Sequence, residues 1–280
     1  MTISTFFGSR STGSIRYLAG FVILLSAVLT AGCISITTDG DSEHGTAEEN
    51  QLHTFDVGEN PFIDVTGYNG PIEIVTGDDG VVDVEAELRI PSRISYAATL
   101  SGNTVTVIAK KTGSGISFGR SPQADIRLTI PKQATIKAHT SNGRVTITGV
   151  TGDGDLSSSN GKITISNSTG AYTSSTSNGA VILDGVIGQF SAETSNGRIE
   201  FSGTFDGDSD NSFKTSNGSI HIVFDGEPSV EIDARTSNGS VESDRPILAT
   251  TTEKTRLVGT YGDGSASLEL RTSNGSIDLR

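Results

Sequence analysis

The sequence predicts an all-β protein, a parallel β-solenoid of coils about 18 residues long with an N-terminal β capping segment. Three observations carry this. The tetrapeptide Thr-Ser-Asn-Gly recurs, with one Ser-Ser-Asn-Gly copy, so that Asn142, Asn160, Asn178, Asn196, Asn217, Asn238 and Asn274 are separated by 18, 18, 18, 21, 21 and 36 residues. Two apolar columns follow each Gly, Val145, Ile163, Val181, Ile199, Ile220, Val241 and Ile277, then Ile147, Ile165, Leu183, Phe201, Ile222, Ser243 and Leu279, at the alternation of a strand with one buried face. The composition of 34 Gly, no Trp, one Met and one Cys, with apolar residues in short runs, leaves no helical stripe.

In chain order, residues 1–33 read as an export signal. Arg10 and Arg16 precede an apolar run, Tyr17 to Ala31, which is short for a membrane span. The run ends Thr30-Ala31-Gly32-Cys33, which looks like a lipoprotein lipobox with Cys33 as the lipidated residue, although Thr30 stands where Leu is usual. Ordinary secretion and an uncleaved anchor are the other readings, and both also place the remainder outside the cytoplasm. Residues 34–54 are polar and acidic and read as a disordered tether. Residues 55–132 contain Pro71 to Val75, Val82 to Leu88, Thr104 to Ile108 and Asp125 to Ile130, each alternating apolar and polar residues, and read as the cap of the array. Tyr68-Asn69-Gly70-Pro71-Ile72 looks like a divergent first copy of the repeat.

Residues 133–280 are the array. A second apolar column lies four residues before each motif: Ile136, Gly154, Tyr172, Phe190, Asn211, Ile232 and Leu268. Asn-Gly is also a strong hairpin signal, so an antiparallel meander competes. Identity separates the two: in a solenoid Asn stacks on Asn about 4.8 Å away and an amide ladder can form, whereas meander turns gain nothing from being alike. Positive φ at Asn-Gly is the expected reason for the motif. The three-residue insertions fall at Asp206 to Asp210 and Asp225 to Pro228, in the turn opposite. Between Ser243 and Gly264 a motif is missing, so either one coil has lost it or a hairpin protrudes.

The order of lipobox, polar tether, degenerate β segment, Ile126-Arg127-Leu128-Thr129-Ile130-Pro131 and Thr-Ser-Asn-Gly-x-Ile units resembles the bacterial adhesin-like β-strand-repeat family, a domain of unknown function. The resemblance spans Phe55 to Arg280 and implies a right-handed β-helix-like fold on an envelope protein. It implies no established activity, because the adhesin label rests on fold analogy.

The chemistry in the sequence is sparse. The net charge of -13, from 33 acidic and 20 basic residues, lacks the footprint of a nucleic-acid binder. His44, His53, His139 and His221 have no metal-ligand partner at short spacing, no Ser sits in a nucleophile elbow, and Lys and Arg are scattered. Asp206, Asp208 and Asp210 resemble half of a calcium loop, but Asn211 and Asn217 replace the Gly and Glu that such a loop needs, so a solvated turn is the preferred reading. No cofactor and no catalysis are expected. The expected role is a lipid-anchored envelope module that meets the membrane through its anchor and binds a glycan or another envelope protein. Envelope-stress signalling and a solenoid carbohydrate-active enzyme are the alternatives.

Overall fold

The computed structural model describes residues 48–113 and 121–280. Cys33, His44, the export signal and residues 34–47 of the tether lie outside them. The N-terminal segment supplies β1 (Glu48–Asp56), β2 (Phe62–Thr66), β3 (Ile72–Thr76), β4 (Val81–Arg89), β5 (Ile94–Ser101), β6 (Thr104–Lys111) and β7 (Gln123–Ile130). The repeats supply β8 (Thr135–Thr140), β9 (Val145–Thr148), β10 (Gly154–Ser158), β11 (Ile163–Ser166), β12 (Thr169–Thr176), β13 (Val181–Asn196), β14 (Ile199–Phe205), β15 (Asp210–Asn217), β16 (Ile220–Phe224), β17 (Val230–Asn238) and β18 (Val241–Ser243). Then come β19 (Leu248–Glu253), β20 (Arg256–Tyr261), β21 (Ala266–Asn274) and β22 (Ile277–Leu279).

These strands form a β-solenoid with two long faces. One face runs β1, β4, β7, β3, β9, β11, β13, β14, β16, β22, β18, and the other β5, β6, β2, β8, β10, β12, β13, β15, β21, β17, β20, β19. Pairing is parallel through the body, as between Ile163 and both Val145 and Val181, and antiparallel only at the ends. Antiparallel strands end the stack without another coil, which is what a terminal unit requires.

Three boundaries differ from the sequence reading. Residues 48–54, assigned to the tether, belong to β1, which pairs along its whole length with β4. As an edge strand it exposes most side chains, so its composition resembles that of a disordered segment. The coil stack also extends back past residue 133, because β2 and β3 form a coil parallel to β8 and β9. Finally, Ser243 to Gly264 is neither a degenerate coil nor a free hairpin: β19 and β20 form a hairpin whose β20 pairs antiparallel with β17 and closes the end.

The order of coils in space is not their order in sequence. The last coil, β21 and β22, lies between the coil of β15 and β16 and that of β17 and β18. The other end repeats the pattern, with β2 and β3 lying between β6 and β7 on one side and β8 and β9 on the other. Each end of the array is thus pinned by a coil threaded inside its neighbour.

The predicted apolar columns line the core. All of the first two columns are buried except Val241 and Ser243, which sit half-buried on the short terminal strand β18. The upstream column is buried throughout. Its odd members have causes. A Cβ on Gly154 would meet the Tyr172 ring at 2.5 Å, so the glycine makes room for the tyrosine. Asn211, 2% exposed, accepts the Phe190 backbone N–H at 2.8 Å through Oδ1 and donates to the Ser267 carbonyl at 3.1 Å. It replaces a ladder bond at the edge of the Asp206 to Asp210 insertion, since β13 to β15 pairing starts only at Ser191. Asn211→Leu, apolar like the rest of the column, is therefore expected to destabilise the protein by about 1–3 kcal/mol in a urea melt by orphaning that N–H.

Candidate functional site

The motif builds a continuous ridge. Eight asparagines stack, in the order Asn69, Asn142, Asn160, Asn178, Asn196, Asn217, Asn274, Asn238, and each Nδ2 donates to the Oδ1 of the Asn before it at 2.7–3.0 Å. At the strand spacing of about 4.8 Å the seven steps span about 34 Å. Aligned amide dipoles polarise one another along such a chain. Beneath the ridge the motif threonines are buried, and Thr176, Thr194, Thr215, Thr236 and Thr272 each donate at 2.7–2.9 Å to the motif-Gly carbonyl of the adjacent coil.

The glycines have a different role from the one expected. No motif Asn or Gly has positive φ. Positive φ sits at the opposite corner, at Gly149, Asn167 and Gly185 and again at Gly152, Gly170 and Gly188. At the motif the constraint is close approach: a Cβ on any of the seven motif glycines would lie 1.7–2.1 Å from a carbonyl oxygen of the neighbouring coil. The motif is thus a stacking device, with Thr, Asn and Gly each facing its counterpart one coil away.

Beside the ridge lies a shallow groove of about 250 Å³, lined by Lys214, Arg235, Arg271 and Glu193 on one wall and by Ser216, Ser237 and Ser273 of the motifs on the other. The cations are in register. Lys214 of β15 pairs with Arg271 of β21, which pairs with Arg235 of β17, which pairs with Arg256 of β20. Sequence reading missed this row because the residues before the motif were not aligned as a column, and Arg256 joins it only through the antiparallel pairing of β20 with β17. A signal was available, since Lys214, Arg235 and Arg271 each directly precede a Thr-Ser-Asn-Gly.

Two carboxylates hold the row. Asp233 accepts from Arg271 at 2.7 Å, and Glu269 contacts Lys214 at 2.6 Å and Arg271 at 3.3 Å, while Arg256 stands 3.8 Å from Asp233. Among the described residues Arg235 makes no ion pair within 4 Å, and Asp233 attracts it at longer range. Hydrogen bonding from Arg271 lowers the pKa of the Asp233 carboxyl, and hydrogen bonding from Lys214 lowers that of Glu269. The sign follows: the unfolded chain takes up protons first, so this stabilisation is complete above the ordinary carboxylate range and is lost as pH falls through the lowered values. Melting temperature is expected to fall from pH 5 toward about pH 3, and to fall less steeply in Asp233→Asn. The difference is small because both carboxylates remain partly exposed and screened.

Among the described residues no three His, Cys, Asp or Glu side chains are grouped as a metal site requires. Asp206 accepts Ser209 through its backbone carbonyl, Asp208 sits exposed at φ 60°, and Asp210 accepts Ser267 Oγ at 2.6 Å. His139 contacts Ser157, and His221 contacts Asp278 at 2.9 Å. His53 stacks against Phe55 and Tyr96, and burial lowers its pKa. Burial pushes the Tyr172 phenol up to about 12.

The family model described as Toastrack DUF4097 matches residues 132–280, more than half of the chain. The chain belongs to the Toastrack DUF4097 family. Its matched region begins just before β8 and covers every Thr-Ser-Asn-Gly unit. Among solved structures, the chain is similar to a candidate adhesin from Bacteroides fragilis NCTC 9343, at 17% identity and TM-score 0.43, covering 82% of this chain and 97% of that one. It is also similar to a candidate cell adhesion protein from Clostridium sporogenes ATCC 15579, at 11% identity and TM-score 0.39, covering 82% and 98%. A candidate lipid binding protein from Parabacteroides distasonis ATCC 8503 matches at 10% identity and TM-score 0.35, covering 82% and 97%. No curated protein matches the sequence.

Proposed function

We propose that this Toastrack protein is a non-catalytic, lipid-anchored, extracytoplasmic module of the bacterial cell envelope that binds an extended glycan or envelope protein along its ridge. The observation that carries the reading is the unbroken file of exposed Asn side chains, flanked by the motif serines and fixed to a rigid core. A ligand meeting this surface finds polar groups already held in place, so little ordering entropy opposes binding. One further feature supports it: the Thr30-Ala31-Gly32-Cys33 sequence after the apolar run.

The test is a glycan array run with the full chain in mild detergent, beside a pull-down from envelope extracts. Selective capture of one glycan class or one envelope protein, weakened by Ser216→Tyr on the ridge flank, is the expected result. No selective capture in either arm would defeat the binding role. Anchoring is tested separately: incorporation of labelled fatty acid is expected in the wild type and absent in Cys33→Ala, and label retained by Cys33→Ala would contradict it.

A further inference from the structure

The cationic row is energetically unexpected. Like charges directly opposite on neighbouring strands destabilise a sheet. Here four cations stand in one register across β15, β21, β17 and β20, in a chain whose net charge is -13. Glu193 and Glu253 stand opposite Lys214 and Arg256 at the two ends of the same register, and Asp233 and Glu269 lie two residues along β17 and β21, yet at the centre of the row Arg271 and Arg235 still face each other, and among the described residues Arg235 has no carboxylate within 4 Å. A sheet that needed only stability could have placed Ser or Thr there, as the equivalent positions Ser157 and Ser175 do on β10 and β12. Three of the four cations, Lys214, Arg271 and Arg235, line the groove together with the motif serines.

We infer that this groove binds a linear anionic polysaccharide lying along the coil axis, with its carboxylates or sulfates on Lys214, Arg271 and Arg235. The inference rests on the binding reading above and gives it a ligand class. Three features select the ligand. Arg and Lys spaced one strand apart, about 4.8 Å, match a polymer bearing one anionic group per sugar unit, and Arg forms charge-assisted, bidentate bonds to such groups. The facing hydroxyls of Ser216, Ser273 and Ser237 suit sugar hydroxyls. A single-stranded nucleic acid would want aromatic platforms for its bases, and no aromatic side chain lines the groove.

The experiment measures binding of the full chain, in mild detergent, to polygalacturonate, heparin, a neutral β-glucan and a single-stranded oligodeoxythymidylate. Arg235→Gln is the informative variant, because among the described residues no carboxylate stands within 4 Å of Arg235 to be left orphaned. Binding to polygalacturonate or heparin is expected, weakened about tenfold by Arg235→Gln and further by adding Lys214→Gln, with Arg235→Lys retaining most of it. The paired control Lys162→Gln/Arg198→Gln removes two cations from the other face and is expected to leave affinity within about twofold. An unchanged melting temperature for Arg235→Gln confirms that the fold is intact. Equal losses in both charge-removal pairs, or tighter binding of the oligonucleotide, would overturn the inference. Binding of the β-glucan alone would overturn it while leaving the broader function standing. No binding in any arm, together with no capture from envelope extracts, would remove both.

Discussion

Gly179→Ala is expected to destabilise the protein by about 3 kcal/mol or more, at the upper end of single-substitution effects. The methyl group would sit 2.1 Å from the Gly161 carbonyl oxygen and 2.6 Å from its carbon. Neither atom can rotate aside, because both belong to backbone fixed by the stack. Relief requires the two coils to separate, which also stretches the bond from Thr176 to that same carbonyl and the bond from Asn178 to Asn160. In a quasi-one-dimensional array each coil is supported by its two neighbours, so the damage concentrates at one interface and cooperativity should fall with stability. The matched control is Gly207→Ala: that glycine has ordinary φ and its nearest contact would be Ser265 Oγ at 3.8 Å, so its urea midpoint is expected to be nearly unchanged. Equal effects at the two positions would contradict the close-approach account.

Phe201→Ala is expected to cost about 3–5 kcal/mol, the range for a fully packed aromatic. Phe201 is 2% exposed and its ring lies 4.5 Å from Phe205, 5.5 Å from Phe213 and 5.7 Å from Phe190, centroid to centroid. These rings belong to an aromatic file that starts at Tyr172 and continues through Phe224 to Tyr261. The substitution therefore removes a ring against which three others pack. Val223→Thr, on an outward position that is 42% exposed, is the control, and its effect should stay within about 0.5 kcal/mol. A shallow effect at Phe201 in chemical denaturation would indicate that the file is loosely packed.

The period of the motif made the fold legible. Spacing identified which residues are equivalent, and the apolar columns after each Gly identified the inward face before any geometry was known. Equivalence does not give stacking order. The spacing of 36 between Asn238 and Asn274 reads as a missing coil, whereas it measures a capping hairpin followed by a return inside the array. The candidate site was only partly legible: Lys214, Arg235 and Arg271 share one position before the motif, but the threaded order places Arg271 between the other two, and Arg256 joins them only through the capping hairpin. Strand β1 escaped notice because an edge strand needs backbone partners rather than apolar side chains, and its partner residues on β4 are distant along the chain, as in the pairing of Glu48 with Arg89 and of Asp56 with Val81. The reason for the motif was also misassigned: sequence shows that Gly is required, but not whether φ or a neighbouring carbonyl requires it.

The threaded order is the central claim, since it decides which coils touch at each end of the array and places Arg271 between Lys214 and Arg235. Cysteine pairs test it directly in a Cys33→Ala background. Ser216 and Ser273 occupy matched positions on adjacent strands β15 and β21, between the pairs Thr215 with Thr272 and Asn217 with Asn274. Ser237 lies one strand beyond, on β17. Disulfides need Cα atoms about 4.4–6.8 Å apart, which adjacent strands satisfy and strands two apart do not. Mild oxidation of Ser216→Cys/Ser273→Cys is expected to give an intramolecular bridge, seen as a shift in non-reducing electrophoresis, while Ser216→Cys/Ser237→Cys remains reduced. Bridging of the second pair with none in the first would show that the coils stack in sequence order, and would contradict the account.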